Sequence, residues 1–169
     1  MNKIEFRNDL KRKRLGLGVS KRAQLSQRIC QQLQTLDWRD VIQVHCYEPL
    51  LELGEVDIGT FMRWLTGSFP HINLFTSKRF GQAWRIVAQK DQVSLKKISF
   101  DVVIVPMLGC DISLNRIGYG GGYYDKLLIA QPQAQKIGVC FEICRVAQLP
   151  VQEHDVPMDR IVTERQIYQ

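Results

Sequence analysis

The sequence predicts an α/β fold: a single domain with an open, mostly parallel sheet and helices on both faces. Three observations support this prediction. Short apolar runs that suit buried strands alternate along the chain with segments of helical periodicity. Residues 100–106 form an almost wholly apolar run, as expected for a central strand covered on both faces. The length of 169 residues suits one domain, so we assign residues 1–169 to a single unit.

The first 34 residues predict two helices. Apolar residues recur there at spacings closer to helical than to alternating. A break is expected between Gly16 and Gly18, because glycine is a poor helix former. Ser20 is the predicted N-cap of the second helix, since a serine hydroxyl can accept a hydrogen bond from an unpaired backbone N–H.

The rest of the chain predicts strands that alternate with helices. A strand rich in β-branched residues is expected at 41–47, and a helix at 57–65 is closed by Gly67 and Pro70 before a strand at 72–75. Consecutive parallel strands of one sheet are joined by right-handed crossovers, which fits this order. Three more strands are predicted at 84–88, 100–106 and 136–141, and one more helix at 123–129.

The net charge of +6 predicts that the protein attracts anions, such as nucleic acid, phosphates or polyglutamate tails. The sign alone does not choose among these ligands. The excess is concentrated near the start of the chain, where nine basic residues face two acidic ones: Lys3, Arg7, Lys11, Arg12, Lys13, Arg14, Lys21, Arg22 and Arg28 against Glu5 and Asp9. This segment is a candidate anion site.

The five cysteines and the hydropathy pattern predict a cytoplasmic protein. The cysteines are odd in number, scattered and set among apolar neighbours, which favours reduced, buried thiols. Neither a secretory signal nor an apolar run of about eighteen residues is present. We therefore expect neither export nor a membrane partner.

The strongest chemical signal is the glycine-rich run 115–125, which follows the predicted strand 100–106 and directly precedes a helix. Ligands of open α/β sheets bind beyond the carboxyl ends of strands, where this run is expected. Its four glycines lack Cβ atoms, so backbone N–H groups can converge on an anion. Arg116 adds a fixed positive charge, and Asp125 could hold a divalent cation. The alternative is a tight turn, since the run matches neither a Walker A loop nor the dinucleotide fingerprint.

Two other polar segments are candidates for a site. Residues 47–57 carry Glu48, Glu52 and Glu55, and a buried carboxylate there could accept paired N–H donors from a heterocycle. The alternative is a solvated acidic loop. Residues 149–159 offer possible metal ligands or acid–base groups, or else a surface turn: Glu153, His154, Asp155 and Asp159.

Side chains elsewhere could complete a ligand site. Lys3 and Arg7 lie one helical turn apart and could reach phosphates, although a solvated basic face is the alternative. Tyr119, Tyr123 and Tyr124 could stack on a flat ligand or pack in the core.

In their order along the chain, six landmarks resemble the 5-formyltetrahydrofolate cyclo-ligase family, also called methenyltetrahydrofolate synthetases. The Gly-Gly-Gly-Tyr-Tyr-Asp core is highly specific, and the resemblance covers nearly the whole chain. The landmarks are Lys3-x-x-x-Arg7 with Arg14, Gly54-Glu-Val-Asp57, Val103-Ile-Val-Pro106 with Asp111, Asn115-Arg-Ile-Gly-Tyr-Gly-Gly-Gly-Tyr-Tyr-Asp125, Lys136-Ile-Gly138, and Glu153-His-Asp-Val-Pro-Met-Asp159 with Thr163-Glu164. Cys110 departs from the family, which commonly has Phe before Asp111.

The resemblance implies a fold related to sugar-phosphate isomerase and CoA-transferase folds. It implies an ATP-dependent ligase of one-carbon metabolism that converts 5-formyltetrahydrofolate to 5,10-methenyltetrahydrofolate, with Mg²⁺ as the metal and release of ADP and phosphate. The partner would be a reduced folate, with or without a polyglutamate tail, and the protein would be a monomer.

The resemblance also implies roles for individual residues. Arg116 and Tyr124 would be catalytic, Leu50, Glu55 and Tyr123 would bind the folate, and Asp125 and Asp159 would hold Mg²⁺. The ATP-binding residues would be Lys3, Ile4, Glu5, Phe6, Arg7, Arg116, Ile117, Gly118, Tyr119, Gly120, Gly121, Gly122, Tyr123 and Tyr124.

Two other functions compete with this interpretation. The net charge of +6 is also typical of a nucleic-acid-binding module, but the chain has no RNP, KH or helix-turn-helix pattern, and we expect no nucleic-acid partner. A sugar-phosphate isomerase with the same fold would need no ATP.

Overall fold

The computed structural model describes residues 1–80, 83–88 and 98–169. Within them the helices are α1 (Lys3–Gly16), α2 (Val19–Gln34), α3 (Gly59–Ser68) and α4 (Tyr123–Ile129), and single 3₁₀ turns span Leu51–Leu53 and Glu142–Cys144. The strands are β1 (Gln43–Tyr47), β2 (Asn73–Phe80), β3 (Ala83–Ala88), β4 (Val102–Pro106), β5 (Gly109–Cys110), β6 (Arg116–Ile117), β7 (Gln135–Val139), β8 (Arg160–Val162) and β9 (Ile167–Tyr168).

Seven of these strands form one sheet in the order β3-β2-β1-β4-β7-β8-β9. The five inner strands are parallel, and the two outer strands pair antiparallel with their neighbours. The predicted α/β fold with a mostly parallel sheet is confirmed. In chain order the parallel strands occupy positions 2-1-3-4-5, so the order reverses between β1 and β4. That reversal is the topological switch point, where open α/β sheets bind ligands.

Alternation along β4 explains why helices cover both faces of the sheet. Val102 and Ile104 pack in the cluster that contains buried residues of α2 and α3. Val103 and Val105 point the other way, into the cluster that contains buried residues of α4. Successive strand side chains point to opposite faces, so an unbroken apolar run needs cover on both. The prediction of a central, doubly covered strand is correct.

The start of α2 differs from the prediction. The break between α1 and α2 lies where expected, but the N-cap is Gly18, with a φ of 72°, and Ser20 is the second helical residue. Glycine adopts this left-handed conformation without steric cost, and no side-chain cap forms. The reversal of the backbone at Gly18 therefore sets the helix start.

The lengths of several strands were not predictable from the sequence pattern. The predicted strand 72–75 continues as β2 to Phe80, because the chain beyond it pairs antiparallel with β3. Strands β5, β6, β8 and β9 have two or three residues each, too few for a periodicity to be recognised.

The thiols agree with the expectation from the sequence. All five cysteines are buried and unlinked, as predicted. Within the described parts of the chain, no helix has the length and apolar character that a membrane crossing requires.

Candidate active site

A cavity of about 310 Å³ opens at the carboxyl edge of the sheet, beside the switch point. Tyr47 and Pro106 line it from the carboxyl ends of β1 and β4, and Ser77 lines it from within β2, where it pairs with Tyr47. The other lining residues come from α1, from the loop after β1, from the glycine-rich run and from the loop after residue 150: Lys3, Arg7, Glu48, Leu50, Glu55, residues 116–125, Gln152, His154 and Asp155. Every residue of the glycine-rich run from 116 to 125 therefore lines the cavity.

The glycine-rich run needs glycine at two positions. Gly120 has a φ of 96° and Gly122 a φ of 66°, conformations that residues with a Cβ rarely adopt. A Cβ at Gly120 would also lie 3.2 Å from the Cζ atom of Arg7. The run thus has a backbone path that only glycine fits at these two positions, and its last three residues begin α4 at Tyr123.

Buried Asp111 fixes the turn that precedes the run. Its Oδ1 accepts from the backbone N–H groups of Ser113 (2.9 Å) and Asn115 (3.0 Å), and its Oδ2 accepts from that of Leu149 (3.0 Å). Leu114, inside this turn, has a φ of 62°. Asp111 therefore has a structural role: it satisfies backbone donors and positions β6.

Arg116 and Asp125 form an ion pair in the cavity wall. The Arg116 side chain is only 7% exposed, against 27% for Asp125. Burial lowers the pKa of the Arg116 guanidinium, although the charge of Asp125 opposes the shift. The Arg116 Nε is buried without a hydrogen-bond partner in the described structure. A desolvated cation with an unsatisfied donor is suited to bind an anionic ligand.

Helix α1 lies against the glycine-rich run. The Lys3 Nζ donates to both carboxylate oxygens of Asp155, at 2.8 and 2.5 Å, and to the Gln152 Oε1 at 2.9 Å. The Arg7 Nε donates to the carbonyl oxygen of Gly118 at 2.9 Å. Arg7 therefore contacts the glycine-rich run, and the side chains of both Lys3 and Arg7 line the cavity.

The cavity lining also includes a buried carboxylate. Glu55 is 6% exposed, and its Oε2 accepts from the backbone N–H of Leu50 at 2.8 Å. Burial raises the pKa of the Glu55 carboxyl, while the Leu50 N–H, the Tyr119 hydroxyl and the charge of Arg14 oppose the rise. Such a carboxylate has acceptor capacity for N–H donors of a ligand.

Arg14 connects this carboxylate to the glycine-rich run. The buried guanidinium donates through Nη2 to the Tyr119 hydroxyl at 2.5 Å and to the Leu53 carbonyl at 2.6 Å. Burial is also the main cause that raises the pKa of Tyr119, so its phenol is neutral at physiological pH. The hydrogen bond from Arg14 thus fixes the position of the Tyr119 ring.

Two tyrosines form the aromatic wall. The rings of Tyr123 and Tyr124 lie 5.1 Å apart, centroid to centroid, in an edge-to-face arrangement. Burial raises the pKa of both phenols. Neither can act as a phenolate base near neutral pH, but both can donate hydrogen bonds or pack against a planar ligand.

Three residues implied by resemblance to bind ATP do not line the cavity. Ile4 is 66% exposed. Glu5 completes the N-terminal capping box of α1, where its Oε2 accepts from the backbone N–H of Asn2 at 2.9 Å. Phe6 packs beside the cluster formed by Leu10 and Ile117. Helical geometry explains this outcome, because residues three or four apart share a face and those between them do not.

The structure also does not bring Asp159 together with Asp125. Asp159 directly precedes β8 at the amino edge of the sheet, and the cavity lies at the carboxyl edge. Its Oδ2 accepts from the backbone N–H of Lys136 at 2.7 Å and from its Nζ at 3.2 Å. The metal role of this pair stays a prediction, and of the two aspartates only Asp125 lines the cavity. Asp155 is the carboxylate from that loop that lines the cavity.

Sequence reasoning gave no site role to Ser77 or His45, and it named Arg14 only as a member of the candidate anion segment and of a family landmark. Arg14 follows Arg7 by two helical turns and shares its face, a signal that could have found it. Ser77 lies beyond the apolar part of β2, where the predicted strand ended. His45 lies between two apolar residues of β1, and only the fold reveals its contact with Ser77.

Glu55 leads to a prediction about stability against pH. Its pKa is raised in the folded state, so the folded chain holds this proton more tightly than the unfolded chain does. The free energy of unfolding of the wild type, relative to that of Glu55→Gln, should therefore fall as the pH rises from 4.5, the ordinary pKa of glutamate, to the raised pKa of the folded chain. Above that pKa the difference should stay constant. Urea denaturation of both proteins from pH 4 to pH 8 measures this difference. The exposed Glu52→Gln is the control, and parallel curves for wild type and Glu55→Gln would contradict the prediction.

Cyclo-ligases from other organisms resemble this chain in sequence. A 5-formyltetrahydrofolate cyclo-ligase of Mycoplasma pneumoniae is 26% identical over 168 residues, which cover 97% of this chain and 99% of the relative. A 5-formyltetrahydrofolate cyclo-ligase of Escherichia coli K12 is 32% identical over 82 residues. That alignment covers 47% of this chain and 44% of the relative, so the matched segment spans less than half of the length of the E. coli protein.

Solved structures resemble it in fold. The 5,10-methenyltetrahydrofolate synthetase of Aquifex aeolicus superposes with a TM-score of 0.80 at 26% identity, covering 100% of this chain and 93% of that one. The corresponding M. pneumoniae structure gives the same TM-score at 24% identity over 97% of this chain and 99% of that one. The family model of the 5-formyltetrahydrofolate cyclo-ligases matches residues 43–164, which contain most of the cavity lining. The chain therefore belongs to the 5-formyltetrahydrofolate cyclo-ligase family.

Proposed function

We propose that the protein uses ATP to convert 5-formyltetrahydrofolate to 5,10-methenyltetrahydrofolate, with release of ADP and phosphate. The observation that carries the proposal is one cavity lined by two chemically different sets of groups. One set is basic side chains with a glycine-rich backbone, and the other is a buried carboxylate with tyrosines. A binder of phosphates alone would not need the second set. Membership in the family supports the same reaction.

The basic set suits the phosphates of ATP. Lys3, Arg7 and Arg116 bring three positive charges to the cavity. Two of them are held by protein carboxylates, so the nucleotide would compete for cations that are already positioned. Positioned cations cost little reorganisation when charge moves between phosphoryl oxygens.

The set that includes Glu55 suits the pterin ring of a reduced folate. A carboxylate that keeps acceptor capacity can receive paired N–H donors from the amino-pyrimidine edge of the pterin. Leu50 and Tyr123 line the same cavity and provide apolar and aromatic surface for the rings. The folate would then meet the nucleotide beside Tyr123 and Tyr124.

The proposed reaction needs the formyl oxygen to become a leaving group. This oxygen attacks the γ-phosphorus of ATP and the bond to ADP breaks, which leaves a phosphorylated imidate-like carbon on N5. The N10 lone pair attacks that carbon, N10 loses its proton, and phosphate leaves with the former formyl oxygen. Positioning and charge neutralisation supply most of the catalysis in phosphoryl transfer, and Arg116 and Tyr124 are the proposed catalytic residues.

Asp125 is the proposed protein ligand of Mg²⁺. No group of three or more metal-binding side chains occurs within the described residues, so the protein alone does not enclose the ion. This fits a metal that arrives with the nucleotide, since Mg²⁺ is commonly held by one or two carboxylates and phosphate oxygens. Mg²⁺ would neutralise charge on the phosphates. Asp125 would orient Arg116 and share in holding the ion.

A direct assay tests the proposed function. Purified protein with ATP and Mg²⁺ is expected to convert 5-formyltetrahydrofolate to a product with the absorbance of the methenyl compound, with one ADP formed per turnover. Omission of ATP should abolish the signal. A folded sample that binds ATP but forms neither product would refute the proposal. We also propose that the protein is cytoplasmic and acts as a monomer. Sedimentation of the active sample tests the monomer.

The two aspartates give a matched prediction about the metal. Asp125→Asn keeps an acceptor for Arg116 but removes a charge, so the Mg²⁺ concentration for half-maximal rate should rise about tenfold or more, as expected for one lost carboxylate ligand. Asp159→Asn should leave this concentration unchanged, because its carboxylate binds Lys136 at the other edge of the sheet. Mg²⁺ titrations of the two variants measure the difference. The reverse order would place the metal with Asp159.

A further inference from the structure

Arg14 of α1 is a buried cation to which the proposed reaction gives no role. It is 2% exposed and does not itself line the cavity. Its Nη2 donates to the Tyr119 hydroxyl at 2.5 Å and to the Leu53 carbonyl at 2.6 Å, and its Nε is buried without a partner in the described structure. Both acceptors are neutral oxygens. A guanidinium stays charged in proteins, so these two hydrogen bonds leave a buried positive charge.

This charge acts on the Glu55 carboxylate, which lines the cavity. Burial raises the pKa of Glu55, and the Leu50 N–H, the Tyr119 hydroxyl and the charge of Arg14 oppose the rise. The Tyr119 hydroxyl meets both charged groups, since it accepts from Arg14 and interacts with Glu55. Tyr119 thus links the buried cation to the buried carboxylate.

The chemistry of the three groups sets the direction of their hydrogen bonds. A guanidinium has only donors, and an ionised carboxylate has only acceptors. The Tyr119 oxygen therefore accepts from Arg14, and its hydrogen is directed to Glu55. The Glu55 Oε2 also accepts from the Leu50 N–H at 2.8 Å, so donors from two separate segments hold this carboxylate. A carboxylate offers about four acceptor sites, which leaves acceptors for a ligand.

The other titratable and charged groups around Glu55 do not replace Arg14. Burial raises the pKa of each nearby tyrosine, so the three phenols are neutral at physiological pH. The nearby acidic residues carry the same sign of charge as Glu55. Arg22 is not buried, and its Nη1 donates to a backbone carbonyl at 3.2 Å. The groups are Arg22 of α2, Tyr47 of β1, Glu48, Glu52 and Asp57 of the loop after β1, Tyr119 of the glycine-rich run, and Tyr124 of α4.

We propose that Arg14 is a positioning residue that acts through Tyr119 to hold the Glu55 side chain as an acceptor for paired N–H donors of the bound substrate. Arg14 itself touches no ligand. The substrate is an amino-substituted heterocycle, so this proposal rests on the proposed function. Helix α1 then serves both ligands, because Lys3 and Arg7 line the cavity from the same helix.

A merely structural role for Arg14 makes a different prediction. Arg14 also donates to the Leu53 carbonyl, so it could serve only to hold the loop that carries Glu55. A neutral side chain can donate to the same oxygens and is less costly to bury. The structural role therefore predicts lost stability with unchanged protonation of Glu55. The positioning role predicts that the protonation of Glu55 changes.

Carbon-13 NMR measures the protonation of Glu55 without any turnover. In protein labelled with ¹³C at the glutamate Cδ, Glu55→Gln identifies the Glu55 signal, which is followed from pH 4 to pH 8. Arg14→Gln is expected to move the titration of Glu55 to higher pH, because the carboxylate loses a nearby positive charge. Arg14→Lys keeps the charge, so its titration should lie closer to that of the wild type. An unchanged titration in Arg14→Gln would overturn the proposal.

Two variants separate the effect on Glu55 from folding. Tyr119→Phe removes only a hydroxyl and should also move the titration to higher pH, so the test stands even if Arg14→Gln does not fold. Ser26→Ala is the matched control: the buried Ser26 hydroxyl accepts from the Asp57 N–H at 3.0 Å, so its loss loosens the same loop without removing a charge. It should leave the titration unchanged. A shift as large as that of Arg14→Gln would contradict the proposal.

Calorimetry at two pH values tests the consequence for the substrate. Arg14→Gln is expected to bind 5-formyltetrahydrofolate about tenfold more weakly at pH 6, with a smaller loss at pH 8, because a protonated carboxyl loses an acceptor. Its affinity for ATP should fall less. Equal losses for the two ligands, or a folate loss that is the same at both pH values, would overturn the proposal. If the wild type binds no folate, the proposed function fails, whereas the titration still decides whether Arg14 controls Glu55.

Discussion

Arg116→Gln is expected to lower kcat by about 10²-fold or more, the loss typical of one donor to a developing negative charge. The guanidinium is buried in the cavity wall and has an Nε without a partner in the described structure. Glutamine fills similar space and can still donate to Asp125, but it carries no charge. Arg116→Lys keeps the positive charge but lacks the planar guanidinium, so its kcat should lie between those of the wild type and Arg116→Gln.

Folding must be separated from catalysis in this variant. Loss of the guanidinium leaves Asp125 without its charged partner, but Asp125 is 27% exposed and can be hydrated. The free energy of unfolding should therefore fall by only about 1–2 kcal/mol. Arg39→Gln is the matched control, since Arg39 also pairs with an aspartate but lies on the surface. Full activity in Arg116→Gln would remove Arg116 from the catalytic residues.

The sequence predicted those parts of the fold that depend on local pattern. The apolar run around β4 requires cover on both sides, so its central position followed from composition alone. The helix at 123–129 coincides with α4, because the glycines before it end the preceding loop. The glycine-rich run was also expected at a carboxyl edge of the sheet, and the cavity lies there.

Contacts between distant segments were not predictable in the same way. Asp159 follows the loop that contains Asp155, and only the register of β8 against β7 places the two at different sites. Ser77 reaches the cavity because β2 extends beyond its apolar half. Periodicity gives the face of a strand but not its length, so residues beyond the apolar part of a strand are the ones that the sequence leaves undetermined.

Gly120→Ala is expected to weaken ATP binding by roughly 5- to 30-fold. A φ of 96° costs an L-residue about 1–2 kcal/mol, and the new Cβ would lie 3.2 Å from the Arg7 Cζ. In the free variant, the loop or Arg7 moves to relieve the backbone strain or the close contact. ATP binding then has to restore the original conformation, which costs that free energy. A cost of about 1.4 kcal/mol corresponds to tenfold in affinity. Calorimetric titration with ATP measures the change.

Two further glycines separate this effect from a general intolerance of added methyl groups. Gly121 has a negative or extended φ and open space around its Cα, so Gly121→Ala should lose less affinity than Gly120→Ala, although both face the same cavity. Gly67 lies in α3 with open space, and Gly67→Ala should bind ATP normally and gain about 0.5–1 kcal/mol in stability. Equal losses at Gly120 and Gly121 would show that bulk, not backbone conformation, limits the loop. A loss confined to Gly120 would instead mean that nucleotide affinity depends on a backbone path that only glycine can follow.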